Sequence, residues 1–387
     1  MRSAVLSLLF VLVASTAGAE IDVHIAYLEQ QIDRPPTLSN LDPVPEDLGL
    51  AGAELGLADN ATTGGFLGHK YRLTARRVPP DGDFLAEARE ILAETKLLVV
   101  HAPSDGLLAL ADLPEAEDAL ILNASAEDTS LRGADCRANV LHSVTSYAMR
   151  GDALAQFMNK KRWNDWALIA GTHPADLAFA EALRNAATKF GLKIVDEKTW
   201  AFDADIRRNA AQEIPAFTQS LEPHDVLVLA DEVGDFGRYV LYNTWEPRPV
   251  AGSEGVAPVA WAGVVEQWGA AQLQGRFGKS SGRRMRSVDY AAWAAVRSVG
   301  EAVTRVGKAD AASLRSFVLS DDFKLAGFKG RPMNYRHWNG QLRQPVPLVH
   351  PRALVALAPL EGFLHERTEL DTLGLDAFES DCRAFEE

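Results

Sequence analysis

A helix that leads directly into a strand is predicted by the stretch Gly52-Ala-Glu-Leu-Gly-Leu-Ala-Asp-Asn-Ala-Thr-Thr-Gly-Gly-Phe-Leu-Gly-His-Lys-Tyr-Arg-Leu-Thr-Ala-Arg-Arg77. Apolar residues recur at helical spacing at Leu48, Ala51, Leu55 and Ala58. The pair Gly64 and Gly65 permits the left-handed turn that stops a helix. From residue 71 to residue 76, apolar and polar side chains alternate with the period of a strand. This order of elements is typical of α/β proteins.

Helix and strand patterns continue to alternate from residue 21 to about residue 325. The predicted strands are 21–27, 70–78, 96–101, 118–122, 166–170, 192–196, 225–230 and 257–264. The predicted helices are 46–62, 83–94, 104–112, 150–161, 174–190, 208–220 and 288–306. Regular alternation of this kind favours parallel sheets covered by helices. We therefore expect an α/β fold with two doubly wound, Rossmann-like lobes.

Residues 1–19 have the features of a signal peptide. Arg2 precedes an apolar segment over 4–14, and Ala17-Gly-Ala19 offers a cleavage site before Glu20. The apolar segment is too short to span a bilayer, which takes about 20 residues. The alternative is a buried N-terminal helix. Because no cysteine follows the cleavage site, we expect a freely soluble protein in the periplasm.

The net charge and the cysteine content of the chain indicate which partners and which cross-link to expect. The formal net charge of −14 disfavours binding to nucleic acid, because the phosphate backbone repels an acidic protein. The two cysteines, Cys136 and Cys382, could form a disulfide in an oxidising compartment. Such a cross-link would stabilise the fold by roughly 5 kcal/mol. Two unrelated thiols remain the alternative.

The motifs of enzymes and metal sites are missing from the sequence. Gly278-Lys-Ser280 is similar to the end of a phosphate loop, but Leu273 stands where the first glycine is required. His337, His350 and His365 are not spaced as metal ligands. We therefore predict a protein that is not an enzyme and that has no catalytic residue, no metal and no cofactor.

Ligands of open α/β sheets bind beyond the carboxyl ends of the strands. The predicted ligand-binding residues in these positions are Tyr27, Ser104, Ser125, Ser146, Tyr147, His173, Asp231 and Glu232. Each also has a purely structural alternative. Ser104 could cap the next helix, the two acids could cap the helix that follows them, and His173 could simply be solvated.

An aromatic group in the third part of the chain extends this prediction. It consists of Trp261, Trp268, Tyr290 and Trp293, with several arginines between residues 276 and 286. Aromatic faces bury planar rings and guanidinium groups bind carboxylates, so the group could hold a flat anion. We include Trp261 and Trp268 among the ligand-binding residues. The alternative is that the aromatic rings pack a helix and the arginines solvate a loop.

The order of helix, Asn60, Gly64-Gly65, Leu67-Gly68, Lys70 and strand resembles the type I periplasmic solute-binding proteins of the branched-chain amino acid class. The resemblance implies three crossovers between the lobes, near 142–145, 250–254 and 326–330. Lobe 1 would then comprise 20–141 and 252–328, lobe 2 would comprise 142–251 and 329–366, and 367–387 would form a C-terminal tail.

The same resemblance implies roles for some of the predicted site residues. Ser104 and Ser125, with neighbouring backbone amides, would bind a ligand carboxylate. Asp231 or Glu232 would hold an ammonium group. The family also implies an ABC permease in the inner membrane as partner, and a small molecule as ligand.

Four segments narrow the resemblance to a subgroup associated with pyrroloquinoline quinone-dependent alcohol dehydrogenase systems. They lie at 34–43, 131–137, 266–273 and 359–374. This implies pyrroloquinoline quinone as a possible ligand and a quinoprotein dehydrogenase as a possible partner. The Pro-rich segment 33–45 disfavours a leucine-like ligand. The alternative function is a sensing or docking subunit of a dehydrogenase system that takes no part in transport.

Overall fold

A computed structural model of the chain describes residues 20–33, 43–201 and 206–386. The predicted signal peptide at 1–19, and most of the Pro-rich segment, lie outside the described residues. In the described part of the chain, none of the helices combines the length and the apolar character that crossing a bilayer requires.

The first lobe is built on a five-stranded parallel sheet in the order β2-β1-β3-β4-β5. Its strands are β1 (Ile21–Gln30), β2 (His69–Val78), β3 (Leu97–His101), β4 (Leu120–Asn123) and β5 (Val140–His142). The helices between them are α1 (Leu50–Leu67), α2 (Phe84–Glu94) and α3 (Ser104–Ala111). Strands β3 and β4 are buried almost throughout, as expected where helices cover both faces of a parallel sheet.

The second lobe has a four-stranded parallel sheet in the order β7-β6-β8-β9. Its helices are α4 (Tyr147–Lys161), α5 (Pro174–Lys189), α6 (Ile206–Thr218) and the short α7 (Gly237–Val240). Its strands are β6 (Asp165–Ala170), β7 (Lys193–Thr199), β8 (Val226–Ala230) and β9 (Val250–Gly252). One face of α5 lies in the core, where Phe179, Leu183 and Ala186 are buried at helical spacing.

The last third of the chain contributes residues to the hydrophobic cores of both lobes. Helices α8 (Ala270–Ser281), α9 (Ser287–Val306) and α10 (Ala311–Val318) share the hydrophobic core of the first sheet. Two small antiparallel sheets follow the orders β10-β14-β15 and β11-β12-β13. Their strands are β10 (Ala257–Pro258), β11 (Leu325–Ala326), β12 (Pro332–Tyr335), β13 (Leu342–Arg343), β14 (Val346–His350) and β15 (Ala353–Ala358). The structure thus confirms the predicted α/β fold with two parallel-sheet lobes.

Helix α1 ends later than the sequence predicted. Gly64 stays helical because its missing side chain makes room for Tyr71, whose ring would lie 2.6 Å from an added Cβ. Gly68 adopts the left-handed conformation instead, with φ of 76°, and its N–H group donates to the carbonyl of Gly64. The left-handed turn therefore lies four residues beyond the predicted one.

The predicted strand at 257–264 is wrong beyond its first two residues. The N–H groups of Ala260 and Trp261 donate to Oγ of Ser287, at 3.2 and 3.4 Å, and not to a neighbouring strand. The segment is apolar because it is buried under α9, which explains why it has a strand-like composition without a strand ladder. Helices α8 and α10 were not predicted from the sequence.

Helices α1 and α9 pack at very short distance. Gly52 faces the backbone of Asp289, where an added Cβ would lie 1.9 Å from the carbonyl oxygen. The side-chain amide of Asn60 donates to the carbonyl of Val296 at 2.7 Å. These contacts fix the third part of the chain against the helix that opens the fold.

The C-terminal segment is docked through buried charge and a disulfide. Asp371, which is 1% exposed, accepts hydrogen bonds from Arg336 at 2.9 Å and Arg343 at 2.7 Å. Cys136 and Cys382 form a disulfide bond. The segment also reaches α5, where Lys189 contacts Glu379 at 2.9 Å. It is therefore tied to parts of the chain that belong to both lobes.

We predict that Cys136→Ser and Cys382→Ser each lower the free energy of unfolding by about 2–5 kcal/mol, because each removes the same cross-link from the unfolded chain. Urea denaturation of the oxidised protein measures the loss. The double variant serves as control and should be no less stable than either single variant. Additive losses in the double variant would contradict a shared cross-link.

Candidate functional site

The carboxyl ends of the two parallel sheets are joined by a buried cluster of charge. Glu127 follows β4 in the first lobe, and Glu232 follows β8 in the second. Arg150 projects from the first turn of α4 and contacts both carboxylates. The three side chains are between 9% and 19% exposed. This cluster lies where an α/β protein of two lobes would bind its ligand.

Almost all the N–H donors of the Arg150 guanidinium group are hydrogen bonded to the protein. Its Nη1 donates to Glu127 at 2.7 Å and to Glu232 at 2.5 Å, and its Nη2 donates to the second oxygen of Glu232 at 2.9 Å. Its Nε donates to the carbonyl of Pro258 at 3.1 Å. The guanidinium carbon also lies 4.4 Å from the centre of the Phe179 ring. The pairing with Glu232 is bidentate, which is the strong geometry for such pairs.

Hydroxyl groups donate further hydrogen bonds to the carboxylates of Glu127 and Glu232. Thr145 donates to Glu127 at 2.8 Å, and Ser253 donates to Glu232 at 2.8 Å. Glu127 and Glu232 therefore have at least two protein donors each. The two acids and Arg150 together carry one excess negative charge when all are ionised.

Burial and charge change the pKa values in this cluster. Burial raises the pKa of the Glu127 carboxyl, and Glu232 adds to this effect, whereas Arg150 opposes it. Burial alone would lower the pKa of Arg150, but the two carboxylates outweigh it and raise that pKa. Arg150 is thus held as a cation that desolvation makes costly and that its partners stabilise.

Ser125 and Ser104 lie at the ends of β4 and β3, and both are already hydrogen bonded. Ser125 Oγ donates to the carbonyl of Ala102 and accepts from its N–H group, both at 3.0 Å. This pair of bonds ties the loop after β3 to the loop after β4. Ser104 donates to the carboxylate of Asp128. Ser104 also begins α3, but Pro103 occupies the N-cap position, so the helix-capping alternative for Ser104 is wrong.

Ser146 and Tyr147 lie at the start of α4. Ser146 is the N-cap and accepts from the N–H group of Met149 at 3.2 Å. Tyr147 is 7% exposed, and its ring lies 5.7 Å from that of Phe179. The N–H group of Tyr147 donates to the carbonyl of Glu127 at 2.8 Å. These two residues position Arg150, which lies one turn further along the helix.

His173 and Asp231 organise the loops of the second lobe. His173 is the N-cap of α5, and its Nε2 lies 3.1 Å from the carboxylate of Asp235. Asp231 accepts from four backbone N–H groups, those of residues 234 to 237, at 2.6 to 3.1 Å. Burial raises the pKa of Asp231 to about 6, although these amides oppose the shift. The carboxylate of Asp231 is thus occupied by its own loop, as the capping alternative predicted.

Tyr27 lies inside the first lobe and is fully buried. Its hydroxyl group donates to the carbonyl of Leu48 at 3.2 Å and lies 3.0 Å from Nδ1 of His101. Burial raises the pKa of this hydroxyl. Tyr27 therefore packs against the start of α1, and a ligand would have to displace that contact to reach it.

The aromatic group is divided between the core and the surface. Trp261 is 3% exposed, and it stacks on Tyr290 with ring centres 4.8 Å apart. Trp293 donates to Asp59 at 2.9 Å, and Arg283 pairs with the buried Asp289 at 2.7 Å. The rings of these aromatic residues pack α9, so the packing alternative describes Trp261 better than the ligand-binding interpretation does.

Trp268 lies apart from that stack. It is 45% exposed and covers Gly330, where an added Cβ would lie 2.8 Å from the indole ring.

Of the predicted site residues, the structure brings only Ser146, Tyr147 and Glu232 around Arg150. Ser104 and Ser125 lie in the neighbouring loops of the first lobe.

Two residues that complete the cluster, Glu127 and Arg150, were not predicted from the sequence. Glu127 lies only two residues beyond Ser125, so its position after a strand was a usable signal. Arg150 was not recognised as a site residue because the predicted helix began at residue 150, whereas α4 begins at Tyr147. That shift placed Arg150 at a helix end instead of on a face turned toward the other lobe.

Two further observations concern small ligands. A cavity of about 370 Å³ lies between the last turns of α9, helix α10 and the loop before β11. It is lined by Glu301, Arg305, Phe317, Asp322 and Lys324. In the described residues, no three side chains among His, Cys, Asp and Glu are grouped as metal ligands.

We predict that Arg150→Met lowers the free energy of unfolding by about 3–5 kcal/mol near pH 7, because it leaves buried carboxylates without a counter-charge. Burial already raises the pKa of Glu127, and without Arg150 that pKa would rise further, so the folded variant would bind more protons than the unfolded chain. The difference in unfolding free energy between the variant and the unsubstituted protein should therefore become smaller as the pH falls. Urea denaturation at several pH values measures this.

Arg184→Met is the matched control for that experiment. Arg184 pairs with Glu197 at 2.6 Å, but both side chains are more than one-third exposed. An exposed pair contributes about 0–1 kcal/mol. A loss at Arg150 no larger than the loss at Arg184, or a loss that is independent of pH, would contradict this account of the cluster.

Comparison with known proteins agrees with this architecture. The family model described as periplasmic binding protein matches residues 46–231. A search of curated protein sequences found no significant match.

Solved structures extend the likeness to almost the whole chain. A branched-chain amino acid ABC transporter periplasmic ligand-binding protein from Burkholderia xenovorans LB400 is 15% identical, with a TM-score of 0.71, and the match covers 94% of this chain and 100% of that one. A leucine-, isoleucine-, valine-, threonine- and alanine-binding protein from Brucella ovis, in its closed conformation, is 16% identical, with a TM-score of 0.68, and the match covers 94% and 99%.

A third structure is the solute-binding protein of an ABC transporter from R. palustris in complex with benzoate. It is 14% identical, with a TM-score of 0.61, and the match covers 88% of this chain and 96% of that one. The matched family and these three proteins are binding proteins and not enzymes, in agreement with the prediction from the sequence. The chain has the α/β fold of the type I periplasmic binding proteins, similar to those of branched-chain amino acid ABC transporters.

Proposed function

We propose that this chain is the periplasmic solute-binding component of an ABC-type uptake system. The observation that carries the proposal is the cluster of Glu127, Arg150 and Glu232, in which polar groups from the carboxyl ends of both sheets converge. The match of residues 46–231 to the periplasmic binding protein family supports it. The partners would be a small-molecule ligand and a permease in the inner membrane.

The binding mechanism would be closure of the two lobes around the ligand. A ligand that contacts both lobes has a higher affinity for the closed state and shifts the population toward it. No covalent step is involved. The segments 142–145, 250–254 and 326–330 would act as the crossovers about which the lobes 20–141 with 252–328 and 142–251 with 329–366 move.

For the ligand we propose a link to pyrroloquinoline quinone-dependent alcohol oxidation. The support is the likeness of the segments 34–43, 131–137, 266–273 and 359–374 to proteins associated with that system. The quinone is a planar polycarboxylate, and the buried guanidinium of Arg150 lies where a carboxylate could reach it if the lobes separate.

A sensing or docking subunit of a quinoprotein dehydrogenase, without transport, is the second candidate. The observation that favours it is the degree to which the protein fills its own cleft, since Glu127, Arg150 and Glu232 already satisfy one another. The C-terminal segment, joined to Cys136 and to α5, adds a second constraint on opening.

Ligand binding can be tested with the mature protein, starting at residue 20. We expect pyrroloquinoline quinone to bind with a stoichiometry near one and to raise the melting temperature. At a hundred times the dissociation constant, binding stabilises the folded state by roughly 2.7 kcal/mol. Differential scanning fluorimetry and calorimetry measure this, with turnover of the quinone followed in parallel. A shift with leucine and none with the quinone would contradict the proposed ligand.

Lobe closure predicts a second result. Small-angle scattering should give a smaller radius of gyration with saturating quinone than without it, because the lobes come together around the ligand. An unchanged radius together with tight binding would contradict closure and favour the docking subunit. Uptake of the ligand by cells that lack the permease would separate transport from sensing.

A further inference from the structure

The cleft contains a cation that belongs to the protein itself. Arg150 places its guanidinium group between Glu127 of one lobe and Glu232 of the other. Both oxygens of Glu232 are used, one by Nη1 and the other by Nη2 and by the hydroxyl of Ser253. An amine from a ligand would therefore have to compete with a bidentate guanidinium for the same carboxylate.

The two halves of this cluster differ in strength. Arg150 holds Glu232 through two hydrogen bonds, and α4 and β8 belong to the same lobe. It holds Glu127 through a single bond at 2.7 Å, and that carboxylate comes from the other lobe. The bond to the Glu127 side chain is the weaker half, because it is single. Rotation of that side chain can break it while the bidentate pair stays intact and the Glu127 carbonyl stays bonded to the N–H group of Tyr147 at 2.8 Å.

Displacement of the Glu127 side chain would thus present Arg150 with one free donor, directed toward the place that the Glu127 carboxylate occupied. The group that replaces Glu127 most directly is another carboxylate. Phe179 lies under the guanidinium at 4.4 Å, which gives this position an apolar wall. An ammonium group cannot take this same place, because it would lie against the Arg150 guanidinium, which repels it, and both oxygens of Glu232 are already bonded to Arg150.

We propose that Arg150 determines the ligand class of this cleft, selecting carboxylates that lack an α-ammonium group and binding them in exchange for Glu127. This inference rests on the proposed solute-binding function and deepens it. The α-ammonium group of an amino acid is excluded by a cation of the protein, and Glu127 acts as the internal competitor that a ligand carboxylate must displace.

The probes for this inference are leucine, 4-methylpentanoate and pyrroloquinoline quinone. Leucine and 4-methylpentanoate have the same carbon skeleton and differ only in the α-ammonium group. With the unsubstituted protein we expect 4-methylpentanoate or the quinone to bind, and leucine to bind at least about tenfold more weakly than the matched acid. Isothermal titration calorimetry measures the dissociation constants.

Two variants distinguish selection by Arg150 from a merely structural ion pair. Glu127→Gln removes the competing charge and should tighten binding of the carboxylate by about tenfold, the effect of one hydrogen bond to a charged group. Arg150→Met should abolish that binding. Glu197→Gln, at the exposed pair with Arg184, is the matched control and should leave it unchanged.

Each outcome decides between the proposals. Leucine that binds as tightly as 4-methylpentanoate overturns the inference and leaves the solute-binding function intact. A carboxylate whose affinity is the same in Glu127→Gln as in the unsubstituted protein also overturns it, and this test remains valid if Arg150→Met does not fold. No response to any of the three probes would also overturn the inference, because it requires one of the two carboxylates without an α-ammonium group to bind; the solute-binding function would fail only if no small molecule binds.

Discussion

The contact on which the rest of the site depends is the buried pairing of Arg150 with two carboxylates. A lone guanidinium or carboxylate in this position would lose several kcal/mol of hydration. Glu127, Arg150 and Glu232 offset this cost for one another through three hydrogen bonds of 2.5 to 2.9 Å. Because the two acids come from different sheets, the same contacts fix how the carboxyl ends of those sheets face each other. The loops after β4 and β8 are arranged around that requirement, with Thr145 and Ser253 supplying the remaining donors.

Most of the α/β framework could be predicted because it follows from local pattern. Strand β8 and helix α5, for example, lie within one residue of their predicted bounds. The apolar run of β8 and the helical spacing of Phe179, Leu183 and Ala186 each indicate burial without reference to any distant residue. The predicted strand at 257–264 was wrong for a reason that no local pattern reveals. Its backbone is satisfied by the hydroxyl of Ser287, which is distant in sequence.

The candidate site was predicted only in outline. Residues after parallel strands were expected there, and Glu232, Ser146 and Tyr147 do lie around Arg150. The sequence could not indicate which of these polar groups face a ligand and which bond to the protein. Asp231 and Glu232 are adjacent in sequence, yet one carboxylate accepts four amides of its own loop and the other pairs with Arg150. That division depends on the course of the backbone, which composition does not determine.

The contacts between the two lobes lie in two places, at the cleft and at the C-terminal segment, and they differ in how easily they can be broken. At the cleft, Arg150 bonds the Glu127 side chain and the N–H group of Tyr147 bonds the Glu127 carbonyl, so both contacts hold the loop after β4 against α4. At the C-terminal segment, Cys382 is joined to Cys136 in the first lobe, and Glu379 contacts Lys189 in the second. The disulfide is covalent, whereas the bond to Glu127 can be replaced by water or by a ligand carboxylate. If the lobes move about the crossovers as proposed, the contacts of the C-terminal segment would keep the region that it spans together, and the lobes would part on the side lined by Arg150. A carboxylate that replaces Glu127 there substitutes one charge-assisted bond for another, so closure around it costs less desolvation than closure over an unpaired guanidinium.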